Sequence, residues 1–140
     1  MRQQVALLDV TAQTIAAALQ RVQSVFQRRP EAAVDEDAPA LSRWTGGMRV
    51  VTQHADGHTL STDMPPELGG SGNQVTPGWL FRAGLASCAA TSIVMAAAAE
   101  GIELSVLEVK ATSWSDARGL LGMAGADGQP VFAGPADVQL

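Results

Sequence analysis

The chain has 140 residues, the size of one ordinary domain with its own core rather than two. Hydrophobic residues make up 46% and charged residues 16%, which excludes a disordered chain and a charge-patterned coiled coil. Nine basic against fourteen acidic residues give a net charge of -5, and Lys110 is the only lysine, so a nucleic-acid partner is not expected. The single cysteine excludes an internal disulfide framework and a multi-cysteine zinc site. A lone thiol points to a reducing, cytoplasmic setting.

The apolar patch Val5 to Leu8 is cut off by Asp9 and is too short for the core of a signal peptide. From Thr11 to Arg28 the sequence predicts an amphipathic helix, with Ile15, Leu19, Val22 and Phe26 on one stripe. Thr11 caps its start, Arg28 and Arg29 suit its negative end, and Pro30 stops it. Residues 1–29 therefore read as a helical segment, 30–40 as an acidic linker and 41–140 as the main domain.

From Leu41 the pattern becomes extended. Met48 to Thr52 and Thr59 to Thr62 are strand candidates on either side of the turn residues Ala55-Asp56-Gly57-His58. Pro65-Pro66 ends regular pairing, and Leu68 to Asn73 is a glycine-rich loop.

Thr76-Pro77 is a cap followed by proline at the first helical position, and Gly101 is a left-handed terminator. Between them the sequence predicts one long helix, apolar nearly all round and rich in small residues. Its length is close to a membrane span, but with few large apolar side chains it reads as a buried helix and no membrane is expected. Val106 to Trp114 then alternates as a strand, Asp116 to Gly119 is a turn, and Leu120 to Met123 returns as a short strand. Asp127-Gly128 marks a turn, and a last strand starts near Pro130, bends at Gly134-Pro135 and resumes at Ala136. The alternation at Val138 and Leu140 stops in mid-strand, so the expectation is a fragment or a core completed by a partner subunit.

Cys88 is the one strongly nucleophilic side chain. Phe81, Gly84 and Leu85 precede it on the same helical face, and Thr91, Ser92 and Met95 follow, so Phe81, Leu85, Ser92 and Met95 are the expected pocket. Arg43, Arg49 and Arg82 are the candidate cations for a thiolate. Read without a partner, Cys88 is a small buried apolar residue. His54 and His58 lack a third ligand, so no metal site is expected, and no cofactor either. Gly69 to Gly72 lacks the Lys-Ser or Lys-Thr of a P-loop, and no serine sits in a nucleophile elbow.

Several pieces together carry a resemblance. Pro66-Glu67-Leu68-Gly69-Gly70-Ser71-Gly72, Thr76-Pro77, and Leu80-Phe81-Arg82-Ala83-Gly84-Leu85-Ala86-Ser87-Cys88 resemble the OsmC/Ohr family. Ala98-Ala99-Glu100-Gly101-Ile102-Glu103-Leu104 and Asp116-Ala117-Arg118-Gly119 continue it, over roughly residues 43 to 140. The resemblance implies an α+β fold, a curved antiparallel sheet around long buried central helices, in an intertwined homodimer; the N-terminal helix is extra. It also implies reduction of organic hydroperoxides in oxidative-stress defence. Cys88 matches the peroxidatic cysteine, and an arginine of the first strand region stabilises its thiolate: Arg49, with Arg43 as alternative. An external dithiol is the implied reductant.

Two departures qualify that picture. The family's second cysteine belongs to a second central helix, which the given sequence does not include. The glutamate that follows the helix-start proline and orients the arginine is here Gly78. The alternative expectations are a non-catalytic OsmC-like protein that binds a small apolar ligand, and an interaction domain with an inert cysteine.

Overall fold

The computed structural model describes residues 10–140; the short apolar patch Val5 to Leu8 lies outside the described residues. The chain forms two compact units. One takes Cys88–Glu108 together with the described residues up to Glu36, and the other takes Asp37–Ser87 with Val109–Leu140.

In the first unit, helix α1 spans Ala12–Arg28. Its start is closed by two reciprocal bonds. The Thr14 amide donates to Thr11 Oγ1 at 3.2 Å, and the Thr11 amide donates to Thr14 Oγ1 at 3.0 Å. Pro30 ends the helix and opens a 3-10 turn over Pro30–Ala33, within the stretch expected as plain linker. Along the apolar stripe, Ile15 and Leu19 are half-buried, whereas Val22 and Phe26 are exposed.

The larger unit is built on an antiparallel sheet in the order β1-β2-β3. Strand β1 covers Leu41–Gly46, β2 Arg49–Gln53 and β3 Thr59–Thr62. Strands β2 and β3 match the two strand candidates of the sequence, whereas β1 falls in a stretch expected only to be extended. What makes β1 a hairpin partner is the Gly46-Gly47 pair, at φ 120° and 55°, conformations that favour glycine. Trp44 folds over this turn and donates its indole N–H to the Gly47 carbonyl at 2.8 Å. The β2–β3 turn forms at the expected place, with Gly57 at φ 97°.

After β3 the chain leaves the sheet and returns. Thr62 bridges to Val75, and the Asp63 amide donates to the Val75 carbonyl at 3.0 Å, closing the glycine-rich loop. Gly70 lies so close to the Met64 carbonyl that no Cβ fits there.

Helix α2 spans Pro77–Ala99, as the capping signals require. The Thr76 hydroxyl accepts from the Trp79 amide at 3.2 Å, and Gly101 terminates the helix at φ 71°. The expectation of a buried helix is corrected: among the described residues Ala98 is its one fully buried side chain. The helix has the length and composition of a membrane span, and none of its apolar window is buried within the chain. The reason is a shortage of cover, since the five strands among the described residues are three to six residues long.

Two strand expectations are also corrected. Of Val106 to Trp114 only β4, Thr112–Trp114, pairs, because its partner β5 offers just Ala136–Gln139. Alternation makes the preceding residues extended, but a strand also needs a neighbour to bond. Leu120 to Met123 does not form a strand. Asp116 caps the Arg118 amide at 3.0 Å and starts a short helix, α3, over Ala117–Leu120, where a turn was expected. Gly122, at φ 66°, follows it. The turn at Asp127-Gly128 and the bend at Gly134 are present. The result is an α+β fold with two antiparallel sheets.

Gly70→Ala is therefore expected to destabilise the larger unit by about 1–3 kcal/mol through overpacking against backbone. Urea unfolding of the variant beside wild type checks this; an unchanged midpoint would contradict the close approach.

Candidate functional site

Two of the concave regions of the larger unit each contain one of the arginines considered above. The first lies between the β1–β2 turn and the glycine-rich loop. It has a volume of about 430 Å³ and is lined by Met48, Arg49, Asp63, Gly70 and Ser71, among others.

Asp63 organises this region. It is 3% exposed at the end of β3. One carboxylate oxygen accepts from the Met64 amide at 2.8 Å; the other accepts from the Ser71 amide at 3.2 Å and from the Ser71 hydroxyl. Arg49 on β2 stands 3.8 Å from the same carboxylate and donates to the side chain of Asn73. The Ser71 hydroxyl is the main cause that holds the Asp63 pKa below the usual carboxylate value, while burial acts against it. The Met64 and Ser71 amides and the Arg49 charge add to the lowering.

The second region is larger, about 720 Å³, and mostly apolar. Met64, Pro65, Leu68, Phe81, Leu120 and Phe132 supply its walls, with Thr76, Gly78 and Arg82 from the start of α2. Arg82 Nη1 donates to the Ser113 hydroxyl of the segment carrying β4, at 3.0 Å. Gly78, one turn earlier, stands beside that guanidinium: a Cβ there would meet Nη1 at 3.7 Å, an ordinary contact. Next to Leu120 of this lining, Gly119 of α3 approaches the Phe132 carbonyl too closely for any side chain.

Cys88 is exposed and belongs to the other unit. Its carbonyl accepts from the Ser92 hydroxyl at 3.0 Å, a bond of helix backbone that leaves the thiol aside. Ser92 and Met95 lie in the same unit as Cys88, and both are exposed. Phe81 lines the large apolar cavity, whereas Leu85 is half-buried and does not. Arg49 is engaged by Asn73 and Asp63, and Arg43 donates to Gln53 at 3.2 Å. The expectation of a buried cysteine without a partner is thus corrected on burial, because the cover for α2 is missing.

His54 and His58 share one acceptor, with their Nδ1 atoms 2.7 and 2.9 Å from the same Asp56 oxygen. The His58 amide, followed by the two imidazoles, lowers the Asp56 pKa. Among the described residues no group of three or more His, Cys, Asp or Glu is placed to hold a metal ion.

Sequence reasoning missed Asp63 and Asn73, and it weighed Arg82 only as a cation for Cys88. A signal existed for two of them. Asp63 is a lone acid between an alternating strand and Pro-Pro, and Arg82 is the only charge within α2.

No family model matches the sequence, and no curated protein matches it. Solved structures do. An osmotic stress induced and detoxification response protein of Psychrobacter arcticus is 24% identical at a TM-score of 0.52; the match covers 60% of this chain and 62% of that one. An organic hydroperoxide resistance protein OsmC of Legionella pneumophila is 28% identical at a TM-score of 0.48, over 59% of this chain and 61% of that one. The chain thus shares the fold of the Psychrobacter protein over 60% of its length, and it spans less than two thirds of the length of either protein.

The depressed pKa of Asp63 has a consequence for stability. A carboxyl whose folded pKa is lowered stabilises the fold above its unfolded value, about 3.9, and loses that contribution as pH falls through the folded value. Asp63→Asn is expected to be less stable than wild type at neutral pH and to show a shallower loss on acidification below about pH 4. Urea unfolding at stepped pH measures both; parallel curves would remove Asp63 from the titrating groups that matter.

Proposed function

We propose that the chain is an OsmC-like protein that reduces organic hydroperoxides through Cys88, with an external dithiol as reductant. The observation that carries this reading is the exposure of the single thiol on the long helix of a chain with an OsmC-like fold. Burial would have kept peroxide from the sulfur; exposure admits it.

The chemistry balances as follows. The Cys88 thiolate attacks the distal peroxide oxygen, the O–O bond breaks, and the leaving alkoxide takes a proton to become an alcohol. Cys88 is left as a sulfenic acid. One thiol of the dithiol condenses with it, releasing water and forming a mixed disulfide. The second thiol attacks that disulfide, regenerating the Cys88 thiol and leaving the reductant as a cyclic disulfide. An external dithiol is needed in this reading because the sequence holds one cysteine. Arg49 is the cation assigned to the thiolate, with Arg43 as the alternative, and the working form is a homodimer in the reducing cytoplasm. Exposure of Trp79 and Ile93, on the side of α2 turned away from Cys88, supports an assembly that covers that side of the helix.

A second reading rests on a different observation. The large apolar cavity of the other unit favours non-catalytic binding of a small apolar ligand there.

Intact-mass spectrometry after brief exposure to cumene hydroperoxide separates the two. The peroxidase reading expects rapid gain of one oxygen in wild type, none at that site in Cys88→Ser, and conversion to a mixed disulfide when a small thiol is added. A thiol that stays intact on that timescale would exclude it.

A further inference from the structure

The geometry points to the large cavity of the sheet-bearing unit as a binding site for a small amphipathic carboxylate, held by its head at Arg82 with its apolar tail against Phe81, Leu120 and Phe132. This assignment deepens the ligand-binding reading and rests on it; the chemistry of Cys88 does not enter.

Three observations converge. The cavity, at about 720 Å³, falls in the range of sites for small organic molecules, and its walls are dominated by carbon. Its single ionised lining group is Arg82: among the described lining residues none is Asp or Glu. The third observation concerns how Arg82 is held. Ser113 takes one guanidinium nitrogen, and a serine hydroxyl places the charge without neutralising it. Arg118, by contrast, is fully engaged in a forked pair with the Asp116 carboxylate. Arg82 therefore presents an uncompensated cation at one end of an apolar chamber, with donors left over for the planar fork of a carboxylate.

Gly78 contributes by omission. A Cβ at that position, one turn before Arg82, would already stand 3.7 Å from Nη1, so a side chain built there starts beside the guanidinium. Glycine leaves the place beside Nη1 open on the cavity side. Charge complementarity thus selects an anion over a neutral or cationic ligand, and the walls select one with an apolar body.

Calorimetric titration with decanoate and with decan-1-ol, both below their aggregation limits, tests this. Wild type is expected to bind decanoate more tightly by about tenfold or more, the scale of one charge-assisted pair. Arg82→Gln should erase that preference while leaving decan-1-ol within about twofold, and Arg82→Lys should retain part of it. Phe132→Ser should weaken both ligands alike. Equal binding of the two ligands to wild type would overturn the anionic assignment and leave apolar binding standing. Absence of binding by either would overturn both readings. If Arg82→Gln does not fold, the wild-type preference and the Arg82→Lys variant still decide.

Discussion

Burying a carboxylate is unfavourable unless its oxygens are supplied with donors, and Asp63 meets that condition through a loop that folds back to it. The Met64 amide and both donors of Ser71 satisfy the two oxygens, and Arg49 supplies the countercharge. Because Ser71 lies eight residues away, satisfying Asp63 fixes the glycine-rich loop against the end of β3. The Thr62–Val75 bridge closes the same loop, so the position of Thr76, and with it the start of α2, follows from the loop's closure. Gly70 belongs to this constraint, since the loop passes the Met64 carbonyl at a distance only glycine allows.

Two sides of that loop have different chemistry. Toward the β1–β2 turn it meets Arg49, whose charge is shared with Asp63 and whose hydrogen bond goes to Asn73. Toward the start of α2 it contributes Met64, Pro65 and Leu68 to a mainly apolar chamber that contains Arg82. An arginine beside a buried carboxylate and an arginine beside a hydroxyl are physically unlike. The first has a carboxylate 3.8 Å away, and the second has a neutral hydroxyl as its hydrogen-bond partner.

Exposure of α2 follows from a different limit. A helix of 23 residues that is apolar nearly all round needs cover on several sides, and short strands supply little. Within this chain, therefore, Cys88 is open to solvent although its composition and neighbours resemble a helix core.

Elements whose signals lie within a few residues of one another are legible in the amino-acid order alone. Thr11 and Pro30 bound α1, Thr76-Pro77 and Gly101 bound α2, and Asp56-Gly57 makes the β2–β3 turn, because caps and turns act on adjacent backbone groups. Tertiary structure alone decided what depends on distant partners. Val106 to Ala111 alternates like a strand yet stays unpaired, since a ladder requires a neighbour and β5 reaches only Thr112 to Trp114. Arg82 meets Ser113 across 31 positions, and Arg49 meets Asn73 across 24. No local period or cap encodes such meetings, so the charge environment of each arginine, and the cavity chemistry that follows from it, became legible only once the chain was folded.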